Sequence, residues 1–420
     1  VGDPAPLGKE ETDLAGTRRF RAAFSPTVDC AIFVAAFEKG FAADEGVALE
    51  LIRMNGPREI LGAWSSAELD GAHLSVSLPV ALALPSADVE ADLIVPFILA
   101  TGGSTLVVSA LLYDDLVEQG MKIPDPGSVA RALSRVAMAR QKADLPPLIF
   151  ATEHASSTST YELLYLIAST RLIGKDDVTI LEAAPANMPS LLRDGSIDGF
   201  YVGEPYGSAV TMEGEGRIVT TKSHIWQNGP EKGLAVSRQW ADTNEQTLHA
   251  ILRAFYRAGE WCASAANREE LAGLLASPTY LACEIEHVLA SLSGFIPHSP
   301  TRLLECHDFF CVSGNAANFP WQSQALWFFN QMIRWNECSP QVAAAESVRD
   351  AAAEVFRPDI FRKAVRPIFA PVPAANMKLE GTLNTRVYVG ADRAPLLLGP
   401  DILFDGKIFD LDGSATHHER

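Results

Sequence analysis

The sequence predicts an α/β protein of two lobes with mostly parallel sheets. Three observations carry the prediction. Short apolar runs bounded by turn residues alternate with stretches of helical spacing. The phrase "LDGAHLSV" at 69–76 returns as "IDGFYVGE" at 197–204, each an Asp-Gly pair feeding a strand. Between them, 113–147 is helical, charged and interrupted by prolines, as a connection between two halves would be.

The elements follow in order. "RRFRAAFS" (18–25) alternates into a strand, and "PTVDCAIFVAAFEKG" turns from it into an apolar helix that stops at Gly40. "VALELIRM" (47–54) is the next strand. "DLIVPFILATGGSTLVVS" (92–109) reads as two strands around a Gly-Gly turn. A second unit opens at "LIFATEHASSTSTYELL" with strand, Ser/Thr-rich turn and helix. From 240 onward the pattern is helical, and "WQSQALWFFNQMIRW" (321–335) carries a strongly aromatic face whose expected role is core packing. The expected division is 17–112 with 240–410 as lobe I and 113–239 as lobe II, with flexible termini at 1–16 and 411–420.

Composition limits the function. The 420 residues are 48% hydrophobic, enough for two cores, and the formal net charge is −18. Such a surface is a poor partner for nucleic acid or an anionic membrane. No apolar run approaches the roughly 20 residues of a membrane span, so no membrane insertion is expected. The start "VGDPAPLGKEETDLAGTRR" has no apolar segment of signal-peptide type. The expected location is cytoplasmic if this is the whole chain and periplasmic if it is a processed form. The six cysteines make no CxxC pair, and "ECHDFFC" around Cys306, His307 and Cys311 is expected to hold thiols rather than a metal.

No Walker loop, GxGxxG, HExxH or GxSxG is present, so the chain is expected to be no enzyme and to need no cofactor. The candidates are binding residues. "ASSTST" (155–160) opens a helix after a strand, so Thr158 and Ser159 offer hydroxyls beside free backbone N–H groups, an anion seat or a plain cap. His154 immediately precedes it. Lys232 stands behind the Gly-Pro of "NGPEKGLAV" as a point charge for a small anion. Gly203 and Glu204 end a strand, the glycine allowing close approach of a ligand. Asp29 and Ser104 occupy strand-end positions where ligands of open α/β sheets gather.

A family resemblance rests on "AFEKGFAADEGVALEL", "LDGAHL", "TYELLYLIAS", "ANMPSLLRDGSIDGFYVGEPY", "IWQNGPEKGLAVSRQWAD", "FPWQSQALWFFNQMIRW" and "FDGKIFD" in this order. The chain resembles the nitrate- and bicarbonate-binding solute receptors of ABC transporters and their relative, a cytoplasmic nitrate sensor controlling an RNA-binding antiterminator. The resemblance covers roughly 18 to 410. It implies a two-lobe periplasmic-binding-protein-like (type II) fold with a hinge that closes on a small anion such as nitrate, nitrite or bicarbonate. It implies an ABC permease as partner, or an antiterminator-type regulator in the sensor branch. A pyrimidine-precursor synthase shares the fold, but its cysteine-rich motif has no counterpart here.

The family's binding glycine and lysine fall on Gly203 and Lys232. Its amide position falls on Ser104 and its histidine position on Ser159. The stretch expected to carry a tryptophan reads "RMNGPREI". The resemblance therefore implies an anion held by Lys232, hydroxyls and backbone N–H groups, without the charge-bearing donor and aromatic wall of its relatives.

Overall fold

The first strands show why the chain forms sheets. In β2 (Val47–Arg53), Val47 and Leu49 are buried while Ala48 and Glu50 are exposed, the two-residue period of an edge strand with one wet face. It pairs in parallel with β1 (Arg18–Phe24), which pairs in parallel with β3 (Gly71–Ser75). β3 and β4 (Leu93–Gly102) are buried along their whole length, as strands covered on both faces must be.

The computed structural model describes residues 18–409, apart from 67, 86–90, 171, 173–176 and 390–394. The expected flexible termini lie outside the described residues. After β4 come β5 (Ser104–Ser109), β6 (Leu148–Thr152), β7 (Val178–Glu182), β8 (Gly199–Gly203), β9 (Gly216–Thr221) and β10 (Pro230–Ser237). A hairpin, β11 (Phe295–Ser299) with β12 (Arg302–Glu305), precedes the short β13 (Phe310–Cys311). One sheet has the order β13-β4-β10-β3-β1-β2 and the other β7-β6-β8-β5-β9. The expected parallel pairing holds for β1 with β2 and β3, and for β6 with β7 and β8. β10 runs antiparallel to both β3 and β4, and β5 antiparallel to β8 and β9.

The lobes exchange strands earlier than composition suggests. β5, expected in lobe I, belongs to the second sheet, and β10, expected in lobe II, belongs to the first. Only Gly103 separates β4 from β5. Gly102 and Gly103 both have positive φ (72° and 81°), and a Cβ on Gly102 would stand 2.1 Å from the Phe309 carbonyl oxygen. The chain thus switches sheets through a joint that only glycine fits. No shift in polarity marks it, because both flanking strands are buried.

The two lobes share apolar packing. One cluster includes Val76, Val95 and Ile98 together with Leu106, Val108 and Tyr161. The helix Gln322–Arg334 adds Trp327, Phe328 and Phe329, so its aromatic face is core, as expected. Trp226 packs on Trp327 with ring centroids 4.6 Å apart. Each such buried ring contributes roughly 1.5–3 kcal/mol relative to exposure.

Candidate ligand-binding site

Strand register sets the site. Lys232 of β10 lies opposite Ser75 of β3, and Leu234 opposite His73. Side chains two apart on a strand share a face, so Lys232, Ser75 and His73 project to the same side. Beside them β1 ends in the turn Val28–Cys30, which brings in Asp29. His73 Nε2 lies 2.9 Å from Asp29 Oδ1, and the Thr27 hydroxyl donates to the same oxygen. Burial alone would push the Asp29 carboxyl up. The adjacent His73, with Lys232 and Thr27, outweighs it and holds the group below the ordinary carboxylate range.

The second lobe supplies the opposite wall. Glu153 immediately follows β6, and the Lys232 ammonium donates to its Oε1. Glu231 Oε1 lies 3.9 Å from the same nitrogen. Burial disfavours the charged lysine, but Glu153, Asp29 and Glu231 together raise it above its ordinary value. Lys232 is buried within β10, with Glu153 of the second lobe against its ammonium. Its ammonium has three donors, of which Glu153 takes one.

Ser157 caps the helix Thr158–Ala168 by accepting from the Thr160 N–H at 3.2 Å. The Thr158 N–H donates to Ser75 Oγ at 2.8 Å, and the Thr158 hydroxyl donates to Glu231 Oε1 at 2.6 Å. The expected anion seat at this helix start is therefore engaged by first-lobe side chains. Ser159 is buried in the same first turn.

Gly203 ends β8 where the lobes touch. A Cβ there would lie 3.2 Å from Asp29 Oδ2 and 3.3 Å from Thr27 Cβ. Ser104 is its register partner on β5 and is fully buried.

Two expected ligand contacts need correction. The Glu204 carboxylate accepts from the Thr105 hydroxyl at 2.7 Å and the Ser208 N–H at 2.9 Å, so it braces the strand end. Burial holds it above the usual carboxylate value despite those bonds. His154 turns away from Lys232. Its Nδ1 accepts from the Ser156 N–H at 3.0 Å, and its Nε2 lies 3.9 Å from Glu182 on the outer side of the loop.

Sequence reasoning missed Glu153, His73, Ser75 and Glu231. Glu231 and His73 stand inside quoted motifs, "PEK" and "DGAHLS", and a count of ionisable residues at apolar strand ends would have raised them. Beyond them lies a second ion pair. Lys222 donates to Glu162 and lies 3.2 Å from Glu231 Oε2, while the Tyr201 hydroxyl donates to Glu162 Oε2 at 2.7 Å. Burial foremost, with Glu231 adding to it, lifts Glu162 to about 7 although Lys222 pulls the other way. Among the described residues no cluster of His, Cys, Asp and Glu could hold a metal, and no helix is long and apolar enough to cross a membrane. Cys306 and Cys311 are free thiols.

Residues 14–276 match the NMT1-like family. The chain belongs to that family. Among its relatives, the nitrate/nitrite binding protein NrtA of Synechococcus elongatus is 26% identical over 99% of this chain and 88% of its own length. The bicarbonate transport ATP-binding protein CmpC of Synechocystis is 28% identical over 94% of this chain. The chain spans only about half of the ATP-binding relatives, 53% of CmpC and 50% of the nitrate import protein NrtC. The crystal structure of the periplasmic nitrate-binding protein NrtA from Synechocystis PCC 6803 superposes with a TM-score of 0.78 at 21% identity, covering 94% of this chain and 96% of that one. The NMT1-like chain thus has the two-lobe, type II periplasmic-binding-protein architecture. Its relatives include a nitrate/nitrite binding protein and a bicarbonate-binding protein.

Proposed function

We propose that this protein is the solute receptor of an ABC-type uptake system. Its lobes enclose a small solute, and Lys232 grips a negatively polarised group of that solute. The observation that carries the reading is the burial of Lys232 between the two sheets with donors to spare. A lysine on an ordinary surface turn would reach water. The relatives' names support transport of a small anion such as nitrate or bicarbonate, with a membrane permease as partner. No catalytic step is proposed.

In this reading Glu153 holds the ammonium in place in the closed form, and the solute shares it. Titration calorimetry tests the reading with nitrate, nitrite, hydrogencarbonate, small carboxylates and small amino acids, on the wild type and on Lys232→Met. The expected result is saturable heat with at least one compound bearing an oxyanion or carboxylate, and about 100-fold weaker binding in the variant. Equal affinity in the two proteins would overturn it.

A further inference from the structure

Two carboxylate oxygens of the crevice lack a donor. Asp29 Oδ1 accepts from the Thr27 hydroxyl, with His73 Nε2 2.9 Å away, and Glu153 Oε1 accepts from Lys232. The other oxygen of each, Asp29 Oδ2 and Glu153 Oε2, is buried and takes no hydrogen bond from a described residue. An ionised carboxylate only accepts, and a buried acceptor without a donor is costly. Both carboxylates lie near enough to act on the Lys232 ammonium, Glu153 by direct contact and Asp29 through its charge.

Ser104 marks the Asp29 side independently. Its hydroxyl is fully buried and without a partner among the described residues. Opposed residues of antiparallel strands project to one face, with Cβ atoms about 5 Å apart. The Cβ direction of its partner Gly203 meets Asp29 Oδ2 at 3.2 Å. Ser104 therefore faces the region of Asp29. The charge balance agrees. Even with Glu162 protonated, the carboxylates of Asp29, Glu153 and Glu231 outnumber the ammonium groups of Lys222 and Lys232 in this buried group. A bare anion would enlarge that excess, and nitrate has no hydrogen to offer either carboxylate.

We propose that the enclosed solute presents cationic N–H donors to Asp29 Oδ2 and Glu153 Oε2. Together with the reading that Lys232 grips a negative group, on which this part rests, the class is a small zwitterion bearing an ammonium and a carboxylate or similar oxyanion. Matched pairs test it on the whole chain: glycine against acetate, β-alanine against propionate, with nitrate and methylammonium alongside, by calorimetry and thermal shift.

The amine-bearing member of each pair should bind about 10- to 100-fold tighter. Glu153→Gln and Asp29→Asn should each erase most of that preference. Thermal unfolding of the variants confirms that they are folded, and Glu153→Gln keeps the shape and one acceptor at the Lys232 contact. Nitrate or acetate binding as tightly as the zwitterions overturns the inference and leaves Lys232 as the anion grip. Methylammonium binding as tightly as glycine, with no change in Lys232→Met, upholds the donor claim and overturns the Lys232 reading. Silence from every amine overturns the inference.

Discussion

Two buried lysines stand side by side in this molecule, and their surroundings differ. Around Lys222 both oxygens of Glu162 are used, by Lys222 and Tyr201, and Glu231 Oε1 accepts from Thr158; Glu231 Oε2 takes no hydrogen bond but lies 3.2 Å from the lysine as an ion pair. Around Lys232 each neighbouring carboxylate keeps one oxygen unfilled, and a buried serine hydroxyl faces them. A network in which the ion pair itself is fully engaged holds parts together. One left with acceptors at the seam between lobes is built to receive something. The comparison assigns Lys222 to stability and Lys232 to binding, a difference that burial alone does not reveal.

The largest effect that could break this comparison comes from Lys222→Met. It strips the counter-ion from Glu162 and Glu231 in a dry site, so denaturant unfolding should show a loss of about 3–5 kcal/mol. A loss below about 1 kcal/mol would contradict the structural role. Next is Gly203→Ala. The added methyl meets Asp29 and Thr27 at 3.2–3.3 Å, and forcing the lobes apart should cost about 1–3 kcal/mol and weaken solute binding in the same titration.

A pH effect sharpens the Lys222 side. Glu162 is lifted from 4.5 to about 7, mainly by burial. A carboxyl raised on folding contributes stability that is full below its unfolded value and is lost as pH rises through its folded value. Wild-type stability should therefore decline relative to Glu162→Gln between about pH 4.5 and 7, as read from denaturation midpoints at each pH; parallel profiles would refute the assignment. Smallest is His154→Ala. That side chain is partly exposed and turned toward Glu182, so stability should move by less than about 0.5 kcal/mol and solute affinity should not change.

The sequence made the local elements and the strand-end residues legible, because periodicity and turn chemistry are local. Gly203, Ser104 and Asp29 read as strand ends and Lys232 as a lysine behind a Gly-Pro turn; Lys232 in fact lies within β10, and Asp29 in the turn Val28–Cys30 after β1. The contacts across the seam were not legible. Glu153 reaches Lys232 over 79 positions, and Thr158 reaches Ser75 over 83, and no period in the chain encodes such a register. His154 and Glu153 show how narrow the margin is. Adjacent residues at a strand end point opposite ways, so the candidate taken from the sequence faced outward and its neighbour faced the crevice. The sheet switch at Gly103 was hidden for a different reason: two buried strands on either side of a glycine look like one hairpin.

The most direct test of the account is a crystal structure of the protein grown with the tightest-binding small amino acid. The account predicts density for that molecule between β10 and the start of the helix at Thr158, its carboxylate about 3 Å from Lys232 Nζ and its ammonium against Asp29 and Glu153. The same molecule found away from Lys232, with the Glu153 contact undisturbed and the crevice filled only by water, would contradict it.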